Sequence, residues 1–144
     1  MTDWVKGVVA ANTHWTDNLF SLRIDVNIEP FEAGQYTWLA LDSDSEQDAE
    51  RSAQPYSILS SPAEHTLEFF FYTHLEGELS QNLSQLNPGD KLWVKRQPEG
   101  NLTLAQVSAT RTLCLLATGT GVAPFISMLK TAEPWQRFEQ VVLA

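Results

Sequence analysis

Residues 19–26, LFSLRIDV, alternate apolar and polar side chains over most of their length. This period of two is typical of a half-buried β-strand, because successive side chains of a strand point to opposite faces of the sheet. Further short segments have the composition of strands, and turns separate them. These segments are residues 4–11, 36–41, 56–59, 67–73 and 91–95. Six short strands in the first hundred residues predict a barrel or a sandwich.

One short helix is predicted within this region. Leu79, Leu83 and Leu86 recur at helical spacing. The helix should end at residues 87–90, NPGD, because Pro cannot continue a helix and Gly accepts the turn. After the sixth strand, residues 102–104 are expected to form a short extra strand.

The pattern changes after about residue 110. Residues 112–117, TLCLLA, form a continuous apolar run, which is expected of a strand buried on both faces in a parallel sheet. Cys114 in this run is expected to be a buried small hydrophobe. A glycine turn, a helical segment over residues 122–131 and an apolar strand over residues 141–143 follow. The sequence therefore predicts only the opening strand–helix–strand of an α/β lobe.

Composition excludes several classes of function. The 144 residues carry 18 acidic and 9 basic side chains, a formal net charge of -9, whereas a nucleic-acid-binding protein needs a concentrated basic face. An acidic run over residues 42–50 is predicted to be a solvated loop. Neither a secretory signal nor a membrane span is visible, the single cysteine provides no internal disulfide, and the three histidines have no metal-ligand spacing. We expect a cytoplasmic monomer that binds no metal, nucleic acid or membrane.

Three local motifs carry chemistry, and their order and spacing matter more than each one alone. They are QPYSILSS at residues 54–61, GELSQNL at residues 77–83 and GTGVAPF at residues 119–125. Together they resemble the ferredoxin/flavodoxin–NADP reductase family, particularly its compact bacterial members. The resemblance extends from DWV at residues 3–5 to the third motif, and so covers essentially the whole chain.

The resemblance implies a mainly β protein. A six-stranded antiparallel FAD-binding barrel with a short capping helix would take residues 1–108. The first strand–helix–strand of a truncated NADP-binding α/β lobe would take residues 109–144. The family passes electrons between NADPH and ferredoxin or flavodoxin through FAD, which takes two electrons as a hydride and gives them out singly. The function implied is that of such an oxidoreductase, with this chain as its FAD-binding part and NADP(H) as co-substrate.

The resemblance places the catalytic residues in the first motif. Tyr56 matches a tyrosine whose ring lies along the flavin face, where a flat aromatic wall excludes water. Ser57 matches a hydroxyl that hydrogen-bonds near flavin N5, the atom that exchanges the hydride. A small donor there polarises N5 and leaves room for the nicotinamide ring.

Gln54 departs from the family pattern. The family has Arg at this position, and its guanidinium grips the FAD diphosphate. Gln54 can donate hydrogen bonds but carries no charge, so it cannot make the bidentate pair. Arg51, three residues upstream, is an alternative source of that charge. We expect weaker FAD binding than in a relative that has the arginine.

Further FAD-binding positions are implied in two neighbouring segments. In the second motif, a helix N-terminus points free N–H groups at an anion, Ser80 completes the cradle, and Gly77 lets the backbone approach closely. Residues 70–73, FFYT, match the strand that lines the flavin, with Tyr72 and Thr73 as the better candidates. The remaining FAD-binding residues implied by the resemblance are Pro55, Phe70, Phe71, Glu78 and Leu79.

The third motif resembles the dinucleotide turn of the family. It follows an apolar strand and opens a helix, which is the context that such a turn needs. Gly119 and Gly121 would permit close approach to the pyrophosphate, and Pro124 fits the first helical turn. In the family Thr120 also reaches toward the flavin.

Two other functions stay open. The reductase component of an oxygenase shares the barrel and the glycine turn, although such chains usually carry an iron–sulfur domain with clustered cysteines. A non-catalytic flavin-binding domain is the alternative outside enzymes. Because ferredoxins and flavodoxins are themselves acidic, docking one requires a local basic patch, for which Lys91, Lys95 and Arg96 are candidates.

Overall fold

The computed structural model describes residues 2–144 and contains two sheets. Six antiparallel strands form a nearly closed barrel, and two parallel strands form a small second sheet. The barrel strands are β1 (Trp4–His14), β2 (Leu19–Asp25), β3 (Tyr36–Leu41), β4 (Gln54–Ser57), β5 (Leu67–Tyr72) and β6 (Lys91–Lys95). Their order is β4-β3-β6-β1-β2-β5. The predicted fold class is confirmed.

The barrel closes where the two edge strands approach each other. Beyond the end of β4, the N–H of Leu59 donates to the carbonyl oxygen of Glu68 in β5 at 2.8 Å. The preceding Ile58 donates instead to Gln35, next to β3, at 3.1 Å. The chain after β4 therefore pairs first beside β3 and then with β5, which brings the two ends of the sheet together.

The inward-facing side chains of the strands fill the barrel. Phe20, Leu22 and Ile24 of β2 are fully buried, as the alternation in the sequence predicts. Phe69 and Phe71 of β5 pack against them.

Within residues 2–144, four α-helices accompany the sheets: α1 (Glu46–Ser52), α2 (Glu78–Ser84), α3 (Ala123–Leu129) and α4 (Glu133–Arg137). The second of them is the predicted short helix, and its Leu83 is buried in the barrel core. The third lies within the predicted helical segment over residues 122–131. The fourth has no counterpart in the sequence-based expectations.

The prediction of a solvated acidic loop over residues 42–50 is wrong, because this segment contributes most of α1. Ser45 is the N-cap, and its Oγ accepts a hydrogen bond from the N–H of Asp48 at 3.2 Å. Acidic residues in the first turn and Arg51 in the last turn suit the helix dipole. Ala49 is buried in a cluster with Trp4, so the helix docks on the outside of the barrel.

The expected extra strand at residues 102–104 is also wrong, because a 3-10 turn (Leu104–Gln106) forms there. The N–H of Thr103 donates to Asn101, and that of Gln106 donates to Thr103. These backbone groups are satisfied locally and are not available to a sheet.

The second sheet pairs β7 (Thr112–Leu115) with β8 (Gln140–Leu143). Leu113 and Leu115 are buried in a core that includes Met128 of α3. Cys114 and Leu116 lie on the other face and are exposed. The expectations that this strand is buried on both faces and that Cys114 is buried are therefore wrong, because the described helices cover one face only.

The small sheet is attached to the barrel through α3. Ser127 Oγ donates to the carbonyl oxygen of Ser60 at 2.8 Å, in a fully buried contact. Lys130 Nζ lies 3.3 Å from Glu64 Oε2, in the same barrel segment. No helix within residues 2–144 combines the length and the hydropathy needed to cross a membrane.

Candidate functional site

A cavity of about 620 Å³ opens beside β4 and β5 and is the candidate functional site. It is bordered by the end of α1, the loop and first turn of α2, and the turn that precedes α3. The structure places many of the predicted FAD-binding residues in its lining: Arg51, Gln54, Tyr56, Phe70, Phe71, Tyr72, Gly77, Glu78, Leu79, Ser80 and Thr120. Segments far apart in the sequence thus meet at one cavity.

Some predicted residues do not line this cavity. Pro55 and Ser57 alternate with Gln54 and Tyr56 along β4, and Ser57 lies opposite a residue of β3. Thr73 lines a neighbouring cavity of about 700 Å³. Gly119 and Gly121 flank the lining residue Thr120 without lining the cavity themselves.

Tyr56 forms an aromatic wall of the cavity. Its ring meets that of Phe71 edge to face, with 4.6 Å between the centroids and 62° between the planes. Phe71 in turn stacks on Phe20 at 4.9 Å. Burial raises the pKa of the Tyr56 hydroxyl above its ordinary value, so the side chain is neutral at neutral pH. The wall is therefore uncharged and held by the barrel core.

Arg51 brings a positive charge to the edge of the cavity that Gln54 also lines. It lies in the last turn of α1, is exposed, and has Nη1 3.9 Å from Asp48 Oδ1. The neighbouring Glu50 anchors the helix, because its Oε2 accepts a hydrogen bond from Trp4 Nε1 at 2.8 Å. The guanidinium is thus presented by a docked helix, although its own ion pair is weak and exposed.

The first turn of α2 lines another part of the cavity. Gly77 is the N-cap, without a side-chain capping bond. Ser80 Oγ donates to the Gly77 carbonyl oxygen at 3.1 Å, so Ser80 is not the N-cap. A Cβ atom at Gly77 would lie 2.8 Å from Ser80 Oγ, which explains why glycine suits this position.

The glycine turn joins a parallel strand to a helix, as predicted. Gly119–Val122 form a 3-10 turn between β7 and α3. Gly119 has φ of 56°, in the left-handed region that favours glycine. A Cβ atom at Gly119 or Gly121 would meet nothing within 4 Å, so the backbone faces open space. Thr120 shares the cavity with Tyr56 but not with Ser57.

Four lining residues were not identified from the sequence: Leu41, Ser52, His74 and Glu76. Ser52 follows Arg51 directly, and His74 and Glu76 lie between the predicted flavin strand and Gly77, so proximity to the motifs was the available signal. Leu41 ends β3, and no signal in the sequence marks it.

The three candidate residues for a basic docking patch do not form one free cluster. Lys91 and Lys95 lie at opposite ends of β6. Lys95 Nζ lies 3.6 Å from Glu50 Oε1, and its charge lies 5.8 Å from the ring centroid of Trp4. Among residues 2–144, no three His, Cys, Asp or Glu side chains are grouped so that they could hold a metal ion.

Comparison with known proteins finds relatives of this chain among reductases. The chain is 41% identical over 143 residues to the flavodoxin/ferredoxin–NADP reductase of Escherichia coli, covering 99% of this chain and 56% of that protein. The ferredoxin–NADP reductase of Azotobacter vinelandii is 40% identical over 131 residues, covering 90% of this chain and 49% of that protein. Over the residues that it spans, the chain is similar to members of the ferredoxin/flavodoxin–NADP reductase family. No family model matches it.

Solved structures of ferredoxin–NADP reductases agree with this assignment. The Neisseria gonorrhoeae enzyme, whose crystal structure has bound FAD and NADP, matches with a TM-score of 0.88 at 26% identity, covering 99% of this chain and 57% of that one. Phthalate dioxygenase reductase shares the fold at 18% identity, with a TM-score of 0.77, covering 97% of this chain and 42% of that one. The chain spans about half the length of the curated relatives that it matches.

Proposed function

We propose that this chain is the FAD-binding part of a flavoprotein oxidoreductase that transfers electrons between NADPH and ferredoxin or flavodoxin. The observation that carries the proposal is the cavity that Tyr56, Arg51, the Gly77–Ser80 turn and Thr120 line together. These residues come from the three motifs and the adjoining helix α1.

The residues present fit FAD. An uncharged aromatic wall at Tyr56 suits one face of the flavin ring system. The close backbone packing at Gly77 and the charge of Arg51, which line the same cavity, suit a diphosphate. Arg51 supplies the cation that Gln54 cannot, so its helix α1 takes over the role of the arginine of the family motif.

Each group has a proposed part in the reaction. FAD, when bound, supplies the exchange between hydride transfer and single-electron transfer. Tyr56 excludes water from one face of the flavin, and Thr120 contacts it from the nucleotide lobe. Ser57, the last residue of β4, would donate a hydrogen bond near N5. Gly119 and Gly121 let the backbone approach the NADP pyrophosphate.

We further propose the domain division at residues 108 and 109, and action as a cytoplasmic monomer with ferredoxin or flavodoxin as the one-electron partner. The family names of the relatives support the partner.

The proposal is tested by titrating the purified chain with FAD and recording the visible absorbance spectrum and flavin fluorescence. We expect saturable binding of one FAD per chain, with structured flavin bands. FMN and riboflavin are the comparison ligands, and they should bind more weakly because they lack the diphosphate and adenosine. A chain that binds none of the three would be a non-flavin barrel, and the proposal would be wrong.

A further inference from the structure

A bulge in β1 changes which of its side chains face the interior of the barrel. The register of β1 against β2 shifts between Val9 and Ala11. Before the shift, Val9 is buried in the core. After it, Asn12 lies opposite the core residue Leu22, and His14 lies opposite the next inward-facing residue of β2. Bulges re-aim side chains in this way and are common beside functional sites.

The side chains re-aimed by the bulge contact the C-terminal end of α2. Asn12 Nδ2 donates to the carbonyl oxygen of Ser84 at 2.9 Å and to that of Leu86 at 2.8 Å. His14 Nε2 lies 3.0 Å from the same Ser84 oxygen. Carbonyl groups at a helix C-terminus have no hydrogen-bond donors within the helix. Here side chains of β1 contact these carbonyl oxygens.

The other end of the Asn12 amide is unusual. Asn12 Oδ1 is buried and has no hydrogen-bond partner within the described residues. A buried acceptor without a partner costs stability. Within the described residues, the Asn12 amide is therefore held by its two donated hydrogen bonds alone.

The opposite end of α2 carries Gly77–Ser80 to the candidate FAD cavity. With seven residues at 1.5 Å each, the helix is only about 10 Å long, so a tilt at its C-terminus moves its first turn. Gln81 Nε2 donates to the carbonyl oxygens of His74 and Leu75 at 2.8 and 3.0 Å. The loop before the helix therefore moves with it, and that loop also lines the cavity.

We propose that Asn12 is a positioning residue for the FAD cavity: from outside the site, it fixes the C-terminal end of α2 and so sets the place of the Gly77–Ser80 turn. His14 supports it through the shared Ser84 carbonyl. The effect on FAD rests on the proposed function, whereas the effect on α2 does not.

Asn12→Asp tests the proposal, since it keeps the shape of the side chain and turns the donor into an oxygen facing two carbonyl oxygens. Thr13→Ala is the matched control, because Thr13 is the adjacent, exposed residue of the same strand. Two quantities are measured: the FAD dissociation constant, and the hydrogen exchange of the backbone amides of residues 77–81 in the FAD-free protein. We expect the dissociation constant to rise roughly 3- to 10-fold and exchange at residues 77–81 to accelerate, with the control unchanged.

Wild-type affinity together with wild-type exchange at residues 77–81 in the Asn12 variant would overturn the proposal. Faster exchange throughout the barrel would also overturn it, since the role would then be general stability. Should Asn12→Asp fail to fold, His14→Ala removes the contact with the Ser84 carbonyl oxygen, together with the stacking of the ring on Phe20, and is expected to show the same local change to a smaller degree. If the wild-type chain does not bind FAD, the proposed function is wrong, and the exchange measurement still decides the role of Asn12.

Discussion

Ser127 Oγ of α3 donates a 2.8 Å hydrogen bond to the carbonyl oxygen of Ser60, and both residues are fully buried. Ser60 follows the strand that carries Tyr56, and Ser127 follows the turn that carries Thr120. This single contact therefore joins the two parts of the chain that meet at the cavity.

Ser127→Ala should destabilise the folded chain by about 1–3 kcal/mol, because it leaves a buried carbonyl oxygen without a donor. Ser108→Ala, at an exposed serine in the connection before β7, is the control and should change the free energy of unfolding by no more than about 0.5 kcal/mol. Urea titrations followed by circular dichroism measure both values. Equal stability of the two variants would show that the buried contact contributes nothing.

The charge at the cavity edge can be tested by changing Gln54 and Arg51 separately. Arg51→Ala should weaken FAD binding by roughly 10- to 150-fold if its guanidinium holds the diphosphate, since charge-assisted hydrogen bonds contribute about 1.5–3 kcal/mol. Gln54→Arg should then gain little, because the anion is already neutralised. Gln106→Arg adds the same charge far from the cavity lining and controls for net charge.

The opposite pattern is also informative. If Gln54→Arg tightens binding by the same factor and Arg51→Ala has no effect, the anion site lies on β4 and lacks a cation in the natural chain. If neither substitution changes the affinity, the diphosphate does not bind beside this part of the barrel.

Tyr56→Ala should weaken FAD binding by at least roughly 2- to 13-fold, because an offset-stacked aromatic contact is worth about 0.5–1.5 kcal/mol beyond the area that it buries. Tyr56→Phe keeps the ring and should bind FAD as the natural chain does. Ser57→Ala is the adjacent comparison: it removes only the single hydrogen bond proposed near N5, so FAD should stay bound and the loss of affinity should be no larger than for Tyr56→Ala. An equal loss in the Phe and Ala variants would assign the contribution to the hydroxyl group.

Glu64 should make the stability of the chain depend on acid pH. Burial by itself would raise the pKa of Glu64, but a hydrogen bond from the Ser61 N–H and the Lys130 ammonium outweigh it and hold the pKa below the ordinary value of 4.5. Because the folded-state pKa is lowered, the stabilisation is complete above the unfolded-state pKa. It is lost as the pH falls through the folded-state pKa.

Glu64→Gln should therefore be less stable than the natural chain at pH 7, with the difference shrinking as the pH is lowered below about 4.5. Unfolding by urea at several pH values between 3 and 7 measures this. A difference that is constant over the whole range would show that the carboxylate charge is not involved.

The two glycines of the turn before α3 should differ in their tolerance of a side chain. Gly119 has φ of 56°, so Gly119→Ala should cost about 1–2 kcal/mol of stability. Gly121 does not have a positive φ and its Cβ position is open, so Gly121→Ala should be nearly neutral. Thermal unfolding of both variants is the measurement. A larger loss for Gly121→Ala would contradict the conformational argument.

Local periodicity predicted most of the fold. The alternation of residues 19–26 gave the correct face of β2, and the leucine spacing located α2 to within two residues. The acidic composition of residues 42–50 is typical of a loop, whereas the capping bond between Ser45 and Asp48 favours a helix. Composition alone therefore did not predict α1. The exposure of Cys114 could not be predicted from the apolar run around it, because an apolar run has no periodicity to distinguish the two faces of a strand.

The candidate site was predictable where motifs marked it and not elsewhere. The motifs located Tyr56, Gly77 and Thr120, which the fold brings to one cavity. The contact of Asn12 with the end of α2 depends on a bulge and on pairing between segments far apart in the sequence. Neither the bulge nor the long-range pairing can be recognised from a single sequence.

The position of β1 between β2 and β6 sets an order for folding. Trp4 pairs with Lys95, so the first strand obtains its second neighbour only after nearly the whole barrel sequence is present. Such a long loop closure is slow, and it makes the transition to the closed barrel a late event. During synthesis, β1 and β2 can pair early and then wait for β6, with one edge of β1 open to other chains. We therefore expect the barrel to be most prone to aggregation between the pairing of β1 with β2 and the arrival of β6.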